Sequence, residues 1–146
     1  MSFRTSSGPW YGDERRLLRF EWSARNAIPG LRRRLVTAGG TRALAYAVAV
    51  SVPHYSHRQV EIRFRLGVDR VPLVAVDGPE SPHRMADGSL CLWYAWDPRA
   101  MRWEVEDGLL QLVCIITEHL FKEAWWRETE EWLGDEAPHG SRKDAA

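Results

Sequence analysis

Residues 43 to 76 read ALAYAVAVSVPHYSHRQVEIRFRLGVDRVPLVAV, three apolar runs separated by turn chemistry. In the first run, Ala43 to Val52, the bulky side chains Leu44, Tyr46, Val48, Val50 and Val52 take alternate positions and small residues fill the places between. A period of two with one bulky face predicts a strand. Pro53-His54-Tyr55-Ser56 then turns the chain. Val60, Ile62, Phe64 and Leu66 alternate with Glu61, Arg63 and Arg65, which predicts a second strand with one dry and one wet face, as an antiparallel sheet has. Val71 to Val76 is a third, closed by Asp77-Gly78-Pro79. Upstream, Leu31 to Val36 is short and Arg-rich and runs into the turn residues Thr37-Ala38-Gly39-Gly40, so it reads as an edge strand entering a hairpin.

Outward from this meander of four strands the period changes. Asp13 to Ala27 places Leu17, Phe20, Ala24 and Ile28 at helical spacing before Pro29-Gly30 stops it. Between Pro79 and Arg102 neither period holds, and Trp93, Tyr94 and Trp96 cluster there; a long, aromatic loop in a small domain points to function. Val105, Leu109, Leu112, Val113, Ile116 and Leu120 predict an amphipathic helix. Trp125, Trp126, Thr129 and Trp132 predict a second, capped by Gly134. The expected class is α+β, with helices packed on one face of the sheet. Residues 1–140 are expected to form one domain and residues 141–146 a polar tail.

Composition narrows the function classes. The 20 basic and 20 acidic side chains cancel, but residues 1–66 hold twelve Arg against four acids and the rest of the chain eight bases against sixteen acids. Because Arg63 and Arg65 alternate with apolar residues, the basic half reads as the wet face of a strand, and no nucleic-acid partner is expected. No apolar run is long enough for a bilayer, and Met1-Ser2-Phe3-Arg4 lacks the pattern of an export signal, so a cytosolic location with no membrane partner is expected. Two cysteines outside any CxxC pair suggest free thiols without structural zinc, and no cofactor is expected. A Gly-rich phosphate-binding loop is missing too, so a carboxylate substrate would have to arrive already activated.

The loop carries Ser81-Pro82-His83-Arg84-Met85-Ala86-Asp87-Gly88-Ser89-Leu90-Cys91-Leu92-Trp93. An exposed loop cysteine, with His83 and Arg84 near in sequence to favour its thiolate, suits a nucleophile that accepts an acyl group and passes it on; a small buried apolar side chain between Leu90 and Leu92 is the other reading. His83, Gly88, Leu90 and Cys91 stand at the spacing of the active-site loop of ubiquitin-conjugating enzymes, which this chain resembles in element order as well. Trp96, Asp97-Pro98 and Trp103 resemble the stretch that follows that cysteine. With the ending Glu136-Ala137-Pro138-His139-Gly140, the closer resemblance is to conjugating-enzyme-like proteins of bacterial antiphage operons built around a cyclic-nucleotide-producing, cGAS-like nucleotidyltransferase. Pro82 precedes His83 rather than following it, and Arg84 stands where that family has Asn.

The resemblance implies a ubiquitin-conjugating-enzyme-like fold and a thioester formed on Cys91 with the C-terminus of the partner nucleotidyltransferase. Activation of that C-terminus would come from a separate protein. His83 is expected to orient the loop through its backbone, and His139 either folds back towards Cys91 or belongs to the exposed tail. Cys114, between apolar neighbours, is expected to be a packed thiol, and Asp97 a turn former before Pro98 in preference to a group that polarises an incoming lysine. A non-catalytic binding module of the same fold is the alternative function. A thiol peroxidase is disfavoured because no resolving cysteine stands at CxxC spacing.

Overall fold

The computed structural model describes residues 8–38, 40–65, 71–94 and 96–134. A 3-10 turn at Trp10–Gly12 leads into helix α1, Glu14–Ala27. Asp13 caps it by accepting from the backbone N–H groups of Arg15 and Arg16. Four strands follow, β1 Arg32–Ala38, β2 Thr41–Val50, β3 Arg58–Arg65 and β4 Leu73–Val76, and they pair in sequence order, each antiparallel to the next. The expected meander is therefore present. Its first hairpin is tighter than the turn residues suggested, because Ala38 and Thr41 pair and Thr37 and Ala38 belong to β1.

The alternation in β2 and β3 divides the sheet as expected. Leu44, Tyr46, Val48, Val50, Val60, Ile62, Phe64 and Val74 point into the core. On the opposite face Ala45, although small and outward, is buried beside its partners Arg34 and Arg63, which pair with Glu61 across it. The Arg side chains of the first half divide between the sheet, the surface of α1 and one internal carboxylate. Glu21 of α1 is buried, and accepts from Tyr46 Oη at 2.7 Å, Arg33 Nη1 at 2.9 Å and Arg25 Nε at 2.7 Å, joining the helix to the first two strands.

Helix α2, Leu109–Thr129, lies against the same side of the core as α1. Here the expected pair of C-terminal helices is corrected to one: nothing between Phe121 and Trp125 breaks a helix, so both amphipathic segments run on as 21 residues, about 30 Å. The helix ends at Glu130, which takes the left-handed conformation with φ 62°, and not at Gly134. Trp132 consequently lies in the non-helical segment beyond the end. Trp10, Phe20, Phe64 and Trp103 fill the space between the helices and the sheet with edge-on or tilted ring contacts, 4.6 Å between the Trp10 and Phe20 centroids and 5.9 Å between Phe20 and Trp103.

Candidate active site

The cysteine loop is a small hairpin docked on the edge of the sheet. Arg84 and Leu90 form an antiparallel bridge, Met85 N–H donates to Ser89 O at 2.8 Å, and Cys91 N–H donates to His83 O at 2.9 Å. The eight-residue spacing of His83 and Cys91 is therefore the spacing of two positions paired across a turn. Gly88 at its tip takes φ 87°, which a residue with a side chain adopts only under strain, and Asp87 accepts from the N–H and Oγ of Ser89. Leu90 N–H donates to Val74 O at 2.9 Å, fastening the hairpin to β4.

Arg84, standing where the resemblance would put Asn, anchors this hairpin to α2. Its guanidinium reaches both oxygens of Glu123 at 2.7 Å, and Nη1 also donates to Gly88 O at 2.8 Å. Glu123 has no exposed surface. Burial alone would raise its carboxyl, but the Arg84 hydrogen bonds, with polar contacts from His119 and Ser81, outweigh that and hold it down at about 2. His119, one turn back on α2, brings Nε2 to 3.2 Å from Glu123 Oε2, in polar contact though off the line of a straight hydrogen bond.

Cys91 opens into a cavity of about 200 Å³ lined by His83, Leu92, Ile115, Glu118, His119, Lys122 and Trp132. The Trp132 ring sits between two imidazoles, its centroid 4.3 Å from His83 and 5.5 Å from His119. A larger cavity of about 490 Å³ near Trp10, Phe64 and Trp103 has neither cysteine nor histidine in its lining, so size does not identify the reactive centre. Among the described residues no group of three or more His, Cys, Asp or Glu side chains could hold a metal ion.

Two expectations about the thiols are corrected. Cys91 is not exposed: only 4 % of its surface meets solvent, and burial, with the negative charge of Asp97 adding, pushes the thiol up to about 11. His83 and Arg84 do not lower it, because the Arg84 charge is spent on Glu123. Cys114, expected to be packed, is exposed. The inward stripe of α2 runs through Leu109, Leu112, Val113, Ile116 and Leu120, and Cys114 falls outside it despite apolar neighbours. Cys114→Ala should accordingly change the unfolding free energy by less than about 0.5 kcal/mol, measured by urea unfolding.

Of the residues singled out in the sequence, the structure brings Cys91 and His83 together, while His139 lies outside the described residues. Asp97 is a turn former, accepting from Tyr94 N–H at 2.7 Å. His119, Glu123 and the position of Trp132 were missed. A signal existed for the first two, since a histidine and a carboxylate four apart interrupt the buried stripe of a helix, where ionisable residues need partners.

A four-stranded meander with a helix at each end, and a cysteine hairpin hung from its last strand, defines an α+β protein that presents one thiol beside imidazoles in a small cavity. The chain belongs to the family of Type II CBASS E2 proteins, whose family model matches residues 25–140. It is thus an E2-like protein of an antiviral defence system that uses ubiquitin-like conjugation. No curated protein and no solved structure gives a significant match. No helix among the described residues is long and apolar enough to cross a membrane.

Proposed function

We propose that this protein carries the C-terminus of a cGAS-like nucleotidyltransferase as a thioester on Cys91 and passes it to an amine, regulating antiphage signalling. The observation that carries the reading is the placement of Cys91 at the end of a docked hairpin, in a cavity with two imidazoles, within a chain of the E2 family. A thioester suits the task because a thiolate both attacks an activated carboxyl carbon and leaves readily when an amine attacks in turn. Activation of the carboxylate is the work of a separate adenylating protein. His83 shapes the loop, its carbonyl holding Cys91 N–H, and the family resemblance assigns His139 a part in the transfer step. His139→Ala, and removal of the chain from Pro138 onward, should both slow transfer at constant melting temperature; equal rates in full-length and shortened proteins would take His139 out of the mechanism.

The test is intact mass of the protein after incubation with the nucleotidyltransferase, an activating protein and ATP. The expected product has the combined mass less one water and is cleaved by thiol. A binding module of the same fold is favoured by one specific observation, the burial of Cys91 with its thiol held at about 11. Stable association with no thiol-labile product would establish that reading instead.

Docking of the partner falls to the aromatic residues after the cysteine, which divide into two roles. Trp93 and Trp103 are buried, and Trp103 Nε1 donates to Gly108 O at 2.9 Å; Trp96 is 75 % exposed and stacks on Tyr94 with centroids 4.4 Å apart. A rigid exposed aromatic pair is a strong interface anchor. Trp96→Ala should weaken partner binding by about 2 kcal/mol, roughly thirtyfold, at unchanged melting temperature. Trp103→Ala should lower stability by about 3–5 kcal/mol. Titration calorimetry and urea unfolding separate the two; if Trp96→Ala binds like the wild type, the exposed Leu18 and Trp22 of α1 are the next surface to test.

A further inference from the structure

His119 and Glu123 occupy two places in the buried stripe of α2 that a leucine would fill at lower desolvation cost. The Arg84–Glu123 pair explains how the hairpin is held, but it gives no reason for an imidazole at His119. We propose that His119 is the general base of the Cys91 cavity, with Glu123 as its positioning residue; this rests on the thioester reading above. Nucleophile, base and an orienting carboxylate recur wherever a weak nucleophile must be activated, and here the three come from the hairpin and from two successive turns of one helix.

The surroundings favour this assignment. Glu123, with Arg84 at 2.7 Å and Arg127 Nη1 at 3.7 Å, is a fixed anion whose Oε2 faces His119 Nε2. A carboxylate beside Nε2 selects the tautomer that carries its proton there and leaves the lone pair on Nδ1. Glu118 and Lys122, paired at 3.5 Å, lie on the cavity rim, and Trp132 and His83 close the remaining side. The charge acting on Cys91 is that of Asp97, which accepts from Tyr94 N–H in its turn and does not line the cavity. A thiol kept protonated by burial needs a proton acceptor inside the same cavity.

In loading, the Cys91 Sγ–acyl bond forms as the bond between the acyl carbon and its phosphate leaving group breaks, and the thiol proton passes to His119 and on to solvent. In transfer, the amine nitrogen bonds to the acyl carbon and the carbon–sulfur bond breaks. His119 takes the amine proton and returns it to the departing Sγ. The products are an amide and the free thiol, with the base restored.

The test uses full-length protein carrying Cys114→Ser, so that Cys91 is the thiol being read. The first measurement needs no partner: alkylation of Cys91 by iodoacetamide at pH 7 should slow at least tenfold in His119→Gln, with the circular dichroism spectrum and melting temperature unchanged. The second follows discharge of the preformed thioester to free lysine, expected to slow about a hundredfold in His119→Ala and to recover on addition of imidazole. Unchanged alkylation in a folded His119→Gln overturns the proposal, as does slowing in His119→Ala that imidazole does not relieve. Should His119→Gln not fold, His119→Asn takes its place in the alkylation arm. If the wild type forms no thioester at all, the conjugation reading fails, while alkylation still decides whether His119 acts on Cys91.

Discussion

Cys91→Ala should form no thiol-labile adduct with the nucleotidyltransferase, where the wild-type protein forms one, a complete loss rather than a reduction. The side chain removed is small and buried, so the cost to folding is about 1 kcal/mol and the variant stays native. Cys91→Ser should trap a product that resists thiol but is cleaved by mild base, because an oxygen ester replaces the thioester. The burial of Cys91 makes the experiment sharper, since a 4 % exposed thiol is protected from adventitious disulfides that would imitate an adduct. Exposed Cys114 is where such artefacts arise, and Cys114→Ala should keep the specific product. An adduct of equal yield in Cys91→Ala, found by intact mass with and without reductant, would show that the acyl group is carried elsewhere.

The second large effect concerns the Arg84–Glu123 pair. Glu123→Ala leaves the buried Arg84 guanidinium without its carboxylate, and the expected loss is about 3–5 kcal/mol in urea unfolding. Replacing both partners by apolar residues, Arg84→Met with Glu123→Leu, should recover most of that, because the penalty comes from an unpaired buried charge rather than from a missing bond. The pair also sets an acid limit. Glu123 titrates at about 2 in the folded protein against an ordinary 4.5, so its contribution is fully present above about 4.5 and is lost as pH falls towards 2. The wild type should therefore lose a few kcal/mol between about pH 5 and pH 2 that Glu123→Gln does not lose over the same range. Parallel acid-unfolding slopes for the two proteins would mean that Glu123 is not held ionised by this network.

Parts of this molecule could be read from local pattern because local chemistry produces them. The alternation Val60, Ile62, Phe64 against Glu61, Arg63, Arg65 permits only a strand with one dry face, and Asp13 followed by a helical stripe permits only a helix start. The place of Cys91 was legible only through the resemblance in the spacing of His83, Gly88 and Cys91, which the structure shows to be the two sides and the tip of one hairpin. The continuity of α2 was misjudged because the buried stripe passes through the ionisable His119 and Glu123, which interrupt its apolar pattern without stopping the helix.

By itself the sequence determined the four strands and the helix before them, each of which depends on residues within one or two turns of chain; that the loop bearing the cysteine closes as a hairpin came from its pairing in the folded protein. Only the tertiary structure decided that Cys91 is buried and Cys114 exposed, and that Arg84 spends its charge on Glu123. It also decided that His83, His119 and Trp132 surround one cavity. The reason is physical: burial and pairing belong to whatever packs against a side chain, and here the partners come from a hairpin, a helix and the segment beyond it, 28 to 49 positions apart along the chain.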